Sequence, residues 1–317
     1  MATKHYDCIV VGSGHAGSSA ALAAVEAGCT SVLILEKAPR EWVGGNGYFT
    51  AGAHRTVHSG LQDLLPIVHN VTPEQAAKID IDPYTVDDFT RDIMRLGQNK
   101  PDEKLVKTMV EHSREAVEWL ARRVDIPFIL SFHRQAYQVN GRQKFWGGLA
   151  LSTEGGGKGL MKAHMKALEK AGVEISFESP AIGLMAENGA VTGVVVRTDG
   201  KELNLSASSV ILAAGGYESS SELRSKHLGS GWEKARVGCK QLLQVNLHVT
   251  TGMTRRSGVL LSIQVMALPW PKISVQKLVE IGRDVTARVG MQMPQLTRGI
   301  GSSAISSPSP VILSVSW

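Results

Sequence analysis

Three glycines and one glutamate near the start of the chain have the types and spacing to bind a dinucleotide. Gly12, Gly14 and Gly17 fit the pattern G-x-G-x-x-G, and Glu36 follows nineteen residues after the last of them. In this pattern the first glycine permits a tight turn, the second lets a diphosphate approach the backbone, and the third lets a helix pack closely. An acidic residue at that distance accepts hydrogen bonds from a ribose and disfavours a 2′-phosphate. The pattern therefore predicts FAD or NAD and makes NADP the least suitable ligand.

The elements that must position these residues occur in the required order. Cys8 to Gly12 predicts a buried strand that runs into the glycine turn, and Ala20 to Ala27 predicts an alanine-rich helix that Gly28 ends. The amino end of that helix would direct N–H groups and its positive dipole end at the diphosphate. Val32 to Leu35 predicts a second strand, with Glu36 at its end. A lone glycine motif is weak and is compatible with an ordinary turn, but this full context favours a dinucleotide-binding fold.

The composition and charge of the chain argue against several classes of protein. The net charge of the 317 residues is +5, but residues 1–237 sum to −1 and residues 238–317 to +6. The basic residues of the tail are scattered without interleaved aromatic residues, which predicts no nucleic-acid partner. No run is long and apolar enough to span a membrane, and the first strand follows MATKHYD without a signal-peptide core. Three cysteines without C-x-x-C spacing indicate neither a disulfide framework nor a metal site. These features predict a cytoplasmic protein.

A second glycine-rich segment follows Glu36 and Lys37. Residues 39–60 contain G-G-N and then T-A-G-A, with few periodic apolar residues, which predicts a surface loop. In this segment the sequence resembles the FAD-dependent succinate dehydrogenase and fumarate reductase flavoprotein family, and within it the tricarballylate-dehydrogenase-like branch. The resemblance favours FAD over NAD. It implies that the ribityl chain and the flavin are wrapped by Gly44, Gly45, Asn46, Ala51 and Gly52.

The same resemblance bears on how the flavin is attached. Members with covalently bound flavin carry a histidine within an S-H-T run in this loop. The corresponding place in this chain holds Asn46-Gly47-Tyr48, so the resemblance implies non-covalent FAD. His54 and His58 lie further along the loop, and we expect them to face solvent or substrate and not to be flavin ligands.

Residues 61–149 predict a mostly helical segment. Thr85 is a plausible N-cap with Asp88 three residues on, and Asp102 opens a longer helix that ends before Pro127. These helices are interpreted as scaffolding. The aromatic-glycine run Phe-Trp-Gly-Gly that follows either lines a site or forms a packed turn.

Glycine-rich residues 154–159 precede a predicted helix, Leu160 to Lys170, and a strand, Val173 to Phe177. A phosphate-loop interpretation fails because no Ser or Thr follows the lysine. The resemblance implies instead a glycine turn and helix before the third strand of the FAD domain. Three short runs then follow, separated by Asn-Gly and Asp-Gly pairs that are strong hairpin signals. They predict a β-meander of Ala181–Ala186, Val191–Thr198 and Lys201–Ser206.

Val210 to Leu212 leads into the small residues of Ala213 to Tyr217. This run resembles the second FAD contact of the family, although alanine stands where the family often has threonine. The resemblance covers residues 5–237. The remaining predicted FAD contacts are His15, Ala16, Lys37, Ala181, Ala213, Gly215 and Gly216.

The predicted fold is α/β, a Rossmann-like FAD-binding domain of the two-dinucleotide-motif type with a β-meander and an inserted helical segment. Its domains are expected at 1–60 with 150–237, and at 61–149, with an unrelated, poorly ordered tail over 238–317. The resemblance implies hydride transfer between flavin N5 and a small di- or tricarboxylate, with an unidentified electron partner. The family's proton-donating arginine and carboxylate-binding histidines have no match, so no catalytic residue is assigned. A catalytically inactive FAD-binding remnant and an NAD-dependent dehydrogenase are the alternatives.

The tail itself suggests why the resemblance stops. When Lys277 to Arg288 is back-translated with permitted codons and read two nucleotides on, it gives AGRNWAGCHST, which resembles the family's continuing sequence. The residues before it can give LAKDLGAE. We therefore expect a frameshifted or mis-spliced end in preference to an evolved new domain, and little or no dehydrogenase or reductase activity of the 317-residue form.

Overall fold

The computed structural model describes residues 4–216, 220–234 and 312–314. They form two compact units. The first unit contains residues 4–43 together with the described residues from 171 onward, and the second unit contains residues 44–170. Of the tail predicted over 238–317, all but residues 312–314 lies outside the described residues, as does Tyr217.

Both units contain strands and helices. In chain order, the strands are β1 (His5–Val11), β2 (Val32–Leu35), β3 (Ala53–His54), β4 (Ile79–Ile81), β5 (Phe128–Leu130), β6 (Ala136–Val139), β7 (Arg142–Phe145), β8 (Leu151–Thr153), β9 (Glu174–Ser176), β10 (Ala181–Glu187), β11 (Ala190–Thr198), β12 (Lys201–Leu212) and β13 (Ile312–Ser314). The α-helices are α1 (His15–Glu26), α2 (Gly45–Phe49), α3 (Leu61–Leu64), α4 (Pro73–Ala76), α5 (Val86–Leu96), α6 (Glu103–Glu111), α7 (Ser113–Trp119), α8 (Phe132–Gln135), α9 (Gly156–Lys170) and α10 (Ser221–Leu228). Short 3₁₀ turns cover Arg40–Trp42, Gly147–Leu149 and Trp232–Lys234, and a π-helical turn covers Leu120–Val124.

One sheet organises the first unit. Its strand order is β10-β11-β12-β1-β2-β9, and β13 pairs in parallel with the carboxyl-terminal part of β12. Strands β12, β1, β2 and β9 are parallel, whereas β10, β11 and β12 form an antiparallel meander. The apolar side chains of β1 and β2 pack with those of the meander in one core. This is the α/β, Rossmann-like FAD-binding fold predicted from the sequence, with its β-meander.

The two hairpins of the meander turn where the sequence indicated. Asn188 and Gly189 have φ of +51° and +81°, and Asp199 and Gly200 have φ of +51° and +72°. Two successive positive φ values are what a two-residue type I′ hairpin requires.

The second unit combines helices with two small three-stranded sheets, β3-β8-β5 and β4-β7-β6. The predicted N-caps are confirmed. The Thr85 hydroxyl accepts a hydrogen bond from the Asp88 N–H while the Asp88 carboxylate bonds the Thr85 N–H, and Asp102 caps α6 by accepting from the Leu105 N–H. The predicted long helix, however, is interrupted at His112, where the Ser113 hydroxyl bonds the Val110 carbonyl.

Two further expectations for this unit need correction. The loop expected over 39–60 contains helix α2, and the segment expected to be mostly helical also contains β4 to β7. The hairpin between β6 and β7 turns at Asn140 and Gly141, whose φ values are +51° and +76°. The Asn-Gly signal used for the meander was therefore present in this hairpin too, and it was missed. No helix among the described residues has the length and apolar character to cross a membrane.

Candidate functional site

Three loops of the first unit follow the carboxyl ends of neighbouring parallel strands. They begin at Gly12 after β1, at Glu36 after β2 and at Ala213 after β12. The Gly12 N–H donates to the Leu35 carbonyl at 2.8 Å, and the Ala213 N–H donates to the Val11 carbonyl at 2.8 Å. The three loops are thus bonded to one another's strands at a single edge. In open α/β sheets, ligands bind outside the carboxyl ends of the strands.

The glycine turn is too crowded for side chains at two positions. Gly12 has φ +102°, and a Cβ there would lie 2.4 Å from the Ala213 carbonyl oxygen. A Cβ on Gly17 would lie 1.9 Å from the Gly12 carbonyl oxygen. Gly12 therefore lets the turn approach the loop after β12, and Gly17 lets α1 approach the turn. The positive φ of Gly12 also permits the tight turn, so the tight turn at Gly12 and the close packing at Gly17 are the roles that the sequence pattern gives to its first and third glycines.

The second glycine of the motif lies at the amino end of α1. Gly14 is the N-cap residue, and no side chain caps the helix there. The first turn of a helix has N–H groups without intrahelical acceptors, and its dipole favours an anion. His15 and Ala16, the first two residues of the helix, are buried. The end of α1 at this sheet edge has the polarity that a diphosphate requires.

The carboxylate of Glu36 is buried and held by three hydrogen bonds. The side chain is 6% exposed. One oxygen accepts hydrogen bonds from the Ser13 N–H at 3.0 Å and the Ser13 hydroxyl at 2.5 Å, and the other accepts from the Ala38 N–H at 2.8 Å. A carboxylate has about four acceptor positions. Three donors therefore fix the orientation of Glu36 and leave room for one more, such as a ribose hydroxyl.

The remaining predicted residues of the first unit lie in different surroundings. Residues 214–216 are exposed directly after β12, and Gly215 has φ +76° with open space around its Cα. Lys37 is partly exposed beside Glu36. Ala181, by contrast, is the first residue of β10 and is buried in the core of the meander. The glycine turn, the end of α1, Glu36 and the exposed loop after β12 together fit a dinucleotide.

In the second unit, the two glycine-rich segments of the sequence pack on each other. A Cβ on Gly157, in the first turn of α9, would lie 2.2 Å from the Gly47 carbonyl oxygen and 2.4 Å from that of Tyr48. The Gly157 N–H donates to the Thr50 carbonyl at 2.8 Å. Helix α2 thus lies against the amino end of α9 with no side chain between them. No local pattern indicated that these segments, roughly a hundred residues apart, would meet.

The residues assigned to the flavin by resemblance sit on this packed structure. Gly44 has φ +109° and is buried against Met161, and the Gly52 carbonyl accepts a hydrogen bond from the Thr153 N–H at 2.8 Å. Asn46 and Ala51 are exposed, and Gly45 is partly exposed. The backbone of the loop is therefore held at Gly44 and Gly52, while the residues between them include ones that are exposed to solvent and free to contact a ligand.

The two loop histidines, which were expected to face solvent or substrate, differ in burial. The His54 Nδ1–H donates to the Gly52 carbonyl at 2.9 Å, and its ring meets Phe128 edge-on. His58 is buried, with its Nε2–H donating to the Gly147 carbonyl at 2.9 Å and its Nδ1 accepting from the Gly60 N–H at 3.2 Å. Of the two surroundings expected for His58, solvent and substrate, burial excludes solvent, because the ring links the loop to the turn after β7. Burial lowers the pKa of both rings.

A further polar cluster of the second unit was missed from the sequence. It joins Arg55, Tyr84, Asp92 and Trp146, which come from four separate segments. Burial, and then the hydrogen bond to Asp92, raise the pKa of Tyr84 to about 12. Burial acts to raise the pKa of Asp92, but hydrogen bonds from Tyr84, Arg95 and Arg55 outweigh it and leave that pKa below its ordinary value. The aromatic-glycine run predicted to line a site or to form a packed turn contributes Trp146. Between residues 4 and 234, as far as they are described, no group of three or more metal-binding side chains is present.

Comparisons with known proteins identify an FAD-binding domain in this chain. The sequence profile of the FAD binding domain matches residues 7–253. Urocanate reductase of Eggerthella lenta is 30% identical over 234 residues, which cover 71% of this chain and 34% of that protein. The probable fumarate reductase Ifc3 of Shewanella frigidimarina is 27% identical over 302 residues, covering 93% of this chain and 44% of that protein. Among solved structures, the open conformation of a flavocytochrome c3 fumarate reductase matches with a TM-score of 0.52 at 26% identity, covering 70% of this chain and 36% of that one.

The chain spans less than half the length of these relatives. The matched part contains the glycine turn, Glu36 and the loop after β12 that form the sheet-edge site of the first unit. The chain therefore belongs to the FAD-dependent succinate dehydrogenase and fumarate reductase flavoprotein family, and its cofactor is FAD.

Proposed function

We propose that this chain is an oxidoreductase that dehydrogenates a C–C bond of a small carboxylate-bearing substrate or reduces the corresponding alkene. The observation that carries the proposal is the sheet edge of the first unit. There the glycine turn, the amino end of α1 and the fixed carboxylate of Glu36 meet the loop after β12. The relatives named for reduction of fumarate and urocanate supply the substrate class.

Each part of the edge has a role in holding FAD. The N–H groups at the amino end of α1, behind Gly12, Gly14 and Gly17, bind the diphosphate. Glu36 accepts a hydrogen bond from the adenosine ribose. The exposed residues after β12 let the cofactor approach the backbone closely, because they carry small side chains or none. The family resemblance assigns Ala181 of the first unit to FAD as well, and it assigns the loop Gly44–Gly52 of the second unit to the ribityl chain and the flavin.

FAD, when bound, supplies the two-electron centre for hydride transfer at N5. The chain's part is to hold and orient the cofactor. Attachment is non-covalent in this proposal, since Asn46, Gly47 and Tyr48 replace the family's histidine-containing run. The nearby histidines already have defined backbone partners, His54 at Gly52 and His58 at Gly147 and Gly60.

The test uses the purified 317-residue chain titrated separately with FAD and NAD. We expect saturable FAD binding, no comparable NAD binding, and release of all flavin on acid precipitation. The FAD-loaded chain is then assayed with a redox dye against succinate, fumarate, urocanate, tricarballylate and aconitate. Turnover of at least one of these supports the proposal and contradicts the expectation, drawn from the tail, that the 317-residue form has little or no activity. FAD binding without turnover of any substrate agrees with that expectation and favours the alternative of a catalytically inactive FAD-binding remnant. NAD binding without FAD binding contradicts the proposed use of the sheet edge.

A further inference from the structure

We propose that Arg55 binds a carboxylate of the substrate, in a site that it forms with Trp146 on the second unit. The inference rests on the proposed function, which supplies a substrate of this chemistry. No residue of the described chain had been assigned to the substrate from the sequence.

Arg55 is held in one orientation by two neighbours. Its Nη1 donates to the Tyr84 hydroxyl at 3.0 Å and to Asp92 Oδ2 at 3.1 Å. The Tyr84 hydroxyl donates to the same Asp92 oxygen at 2.9 Å, which closes a three-membered network. A guanidinium fixed in this way loses less conformational freedom when it binds a ligand.

The network uses only one nitrogen of the guanidinium. Of the described residues, only Tyr84 and Asp92 accept hydrogen bonds from the Arg55 side chain, and both bonds involve Nη1. The side chain is 31% exposed. Its Nε–H and Nη2–H donors remain for a ligand, and this pair of parallel donors matches the two oxygens of a carboxylate.

Trp146 provides an apolar wall beside these donors. The guanidinium carbon of Arg55 lies 5.1 Å from the centre of the Trp146 ring, and the indole is 43% exposed. Tyr84 meets the same ring edge-on, with 5.8 Å between centroids, so the indole is supported from within the unit. An arginine stacked on an exposed aromatic ring is suited to a ligand that joins carboxylates through a short carbon chain.

The local charge also favours an anion. Asp92 is shared, since Arg95 Nη2 bonds its second oxygen at 3.3 Å. Two arginines and one carboxylate leave the cluster with a net positive charge, so Asp92 does not neutralise Arg55 fully. The electrostatic attraction for a substrate carboxylate is therefore retained.

Arg55 is also near the segment that the family resemblance assigns to the flavin. It follows Gly52 by three residues and comes directly after β3. Three extended residues span about 10 Å. The Cα atom of Arg55 therefore lies no more than about 10 Å from that of Gly52, the last residue of the loop.

The test measures carboxylate binding directly, by calorimetric titration of the FAD-loaded chain with succinate, fumarate and tricarballylate. Acetate and sodium chloride at matched ionic strength serve as ligand controls. We expect saturable binding of the di- and tricarboxylates, weakened about 10- to 100-fold in Arg55→Ala, the range for losing a charge-assisted pair of hydrogen bonds. Arg55→Lys, which keeps the charge, is expected to lose most of this affinity as well, because an ammonium cannot form the paired bonds.

Arg142→Ala is the matched control. Arg142 pairs with Asp80 on the surface of the same unit, and its removal should leave carboxylate affinity unchanged. Absence of carboxylate binding by the wild type, or equal affinities for the wild type and both Arg55 variants, would overturn the inference. Equal weakening in Arg142→Ala would do the same, because it would indicate a general charge effect. FAD titration and dye-linked turnover assays of the wild type and of every variant separate these outcomes from failure of the proposed function. That failure would show as absence of FAD binding or of turnover in the wild type itself, whatever its carboxylate affinity.

Discussion

At the scale of single residues, Ser13 determines how Glu36 presents its carboxylate. Ser13 supplies two of the three hydrogen bonds that Glu36 receives, through its N–H and its hydroxyl. The N–H bond depends on the backbone of the glycine turn, whereas the hydroxyl bond depends on the side chain alone. Ser13 occupies a variable position of the glycine pattern, so the pattern offered no reason to single it out. The side-chain bond can be removed without disturbing the turn.

Ser13→Ala should weaken FAD binding about 5- to 10-fold. The change removes one hydrogen bond to a charged group and leaves the Glu36 carboxylate less firmly oriented toward the ribose. Flavin fluorescence titration measures the effect. Ser19→Ala is the control, because the Ser19 hydroxyl is also buried near the start of α1 but donates to the His15 carbonyl at 2.8 Å. A similar loss of affinity in both variants would show that the effect comes from α1 and not from Glu36.

At the scale of elements, the amino end of α9 and helix α2 behave as one structure. Gly157 N–H bonds the Thr50 carbonyl, and the backbones of Gly47 and Tyr48 occupy the space that a side chain on Gly157 would need. The obstructing atoms are backbone carbonyl oxygens, so no rotamer change relieves the clash. The glycine at this position is required by packing, since Gly157 does not have a positive φ.

Gly157→Ala should destabilise the second unit by about 1–3 kcal/mol, the usual cost of overpacking. That corresponds to a fall in its melting temperature of roughly 5 °C. Differential scanning calorimetry measures the shift, with hydrogen exchange of residues 44–52 locating it. Gly183→Ala is the control, because its new Cβ would meet only Val195 side-chain atoms at 3.7 Å, an ordinary contact distance. An unshifted melting temperature in Gly157→Ala would contradict the packing argument.

Features that depend on neighbouring residues could be predicted from the sequence, whereas features that depend on contacts between residues far apart in the sequence could not. The strand and turn around Gly12, and the Asn-Gly and Asp-Gly hairpins, follow from local backbone preferences and are present in the structure. The predicted bounds need correction in two places. Helix α1 begins at His15, five residues before the predicted start at Ala20, and the two runs predicted at 201–206 and 210–212 form the single strand β12. The network around Arg55 depends on contacts between residues up to about ninety positions apart, for which local pattern has no signal. The break at His112 was missed because apolar spacing continues through it. At the break, the Ser113 hydroxyl donates to the Val110 carbonyl, a contact that the apolar pattern does not signal.

At the scale of the whole molecule, buried histidines make stability depend on pH. His54, His58 and His164 all belong to the second unit, and burial is the main cause that lowers the pKa of each. Protonation of His58 would break a hydrogen bond, because its Nδ1 accepts from the Gly60 N–H and cannot accept once it carries a proton. For His164, burial and the neighbouring His54 lower the pKa to about 3.

Lowering the pH should therefore destabilise the fold. His164 should contribute to this pH dependence because its ring takes up one proton when the chain unfolds. Its pKa is near 6.5 in the unfolded chain and lower in the folded one, so the unfolded chain takes up the proton first as the pH falls. The contribution of His164 is fully present above pH 6.5 and is lost as the pH falls toward 3, by about 1.4 kcal/mol per pH unit.

Between pH 8 and pH 5 the free energy of unfolding should fall by about 2 kcal/mol less in His164→Gln than in the wild type, as measured by denaturant unfolding at each pH. His133→Gln is the control, since this exposed histidine of the same unit should leave the dependence unchanged. Identical pH dependence in the wild type and His164→Gln would show that the buried ring does not control acid stability.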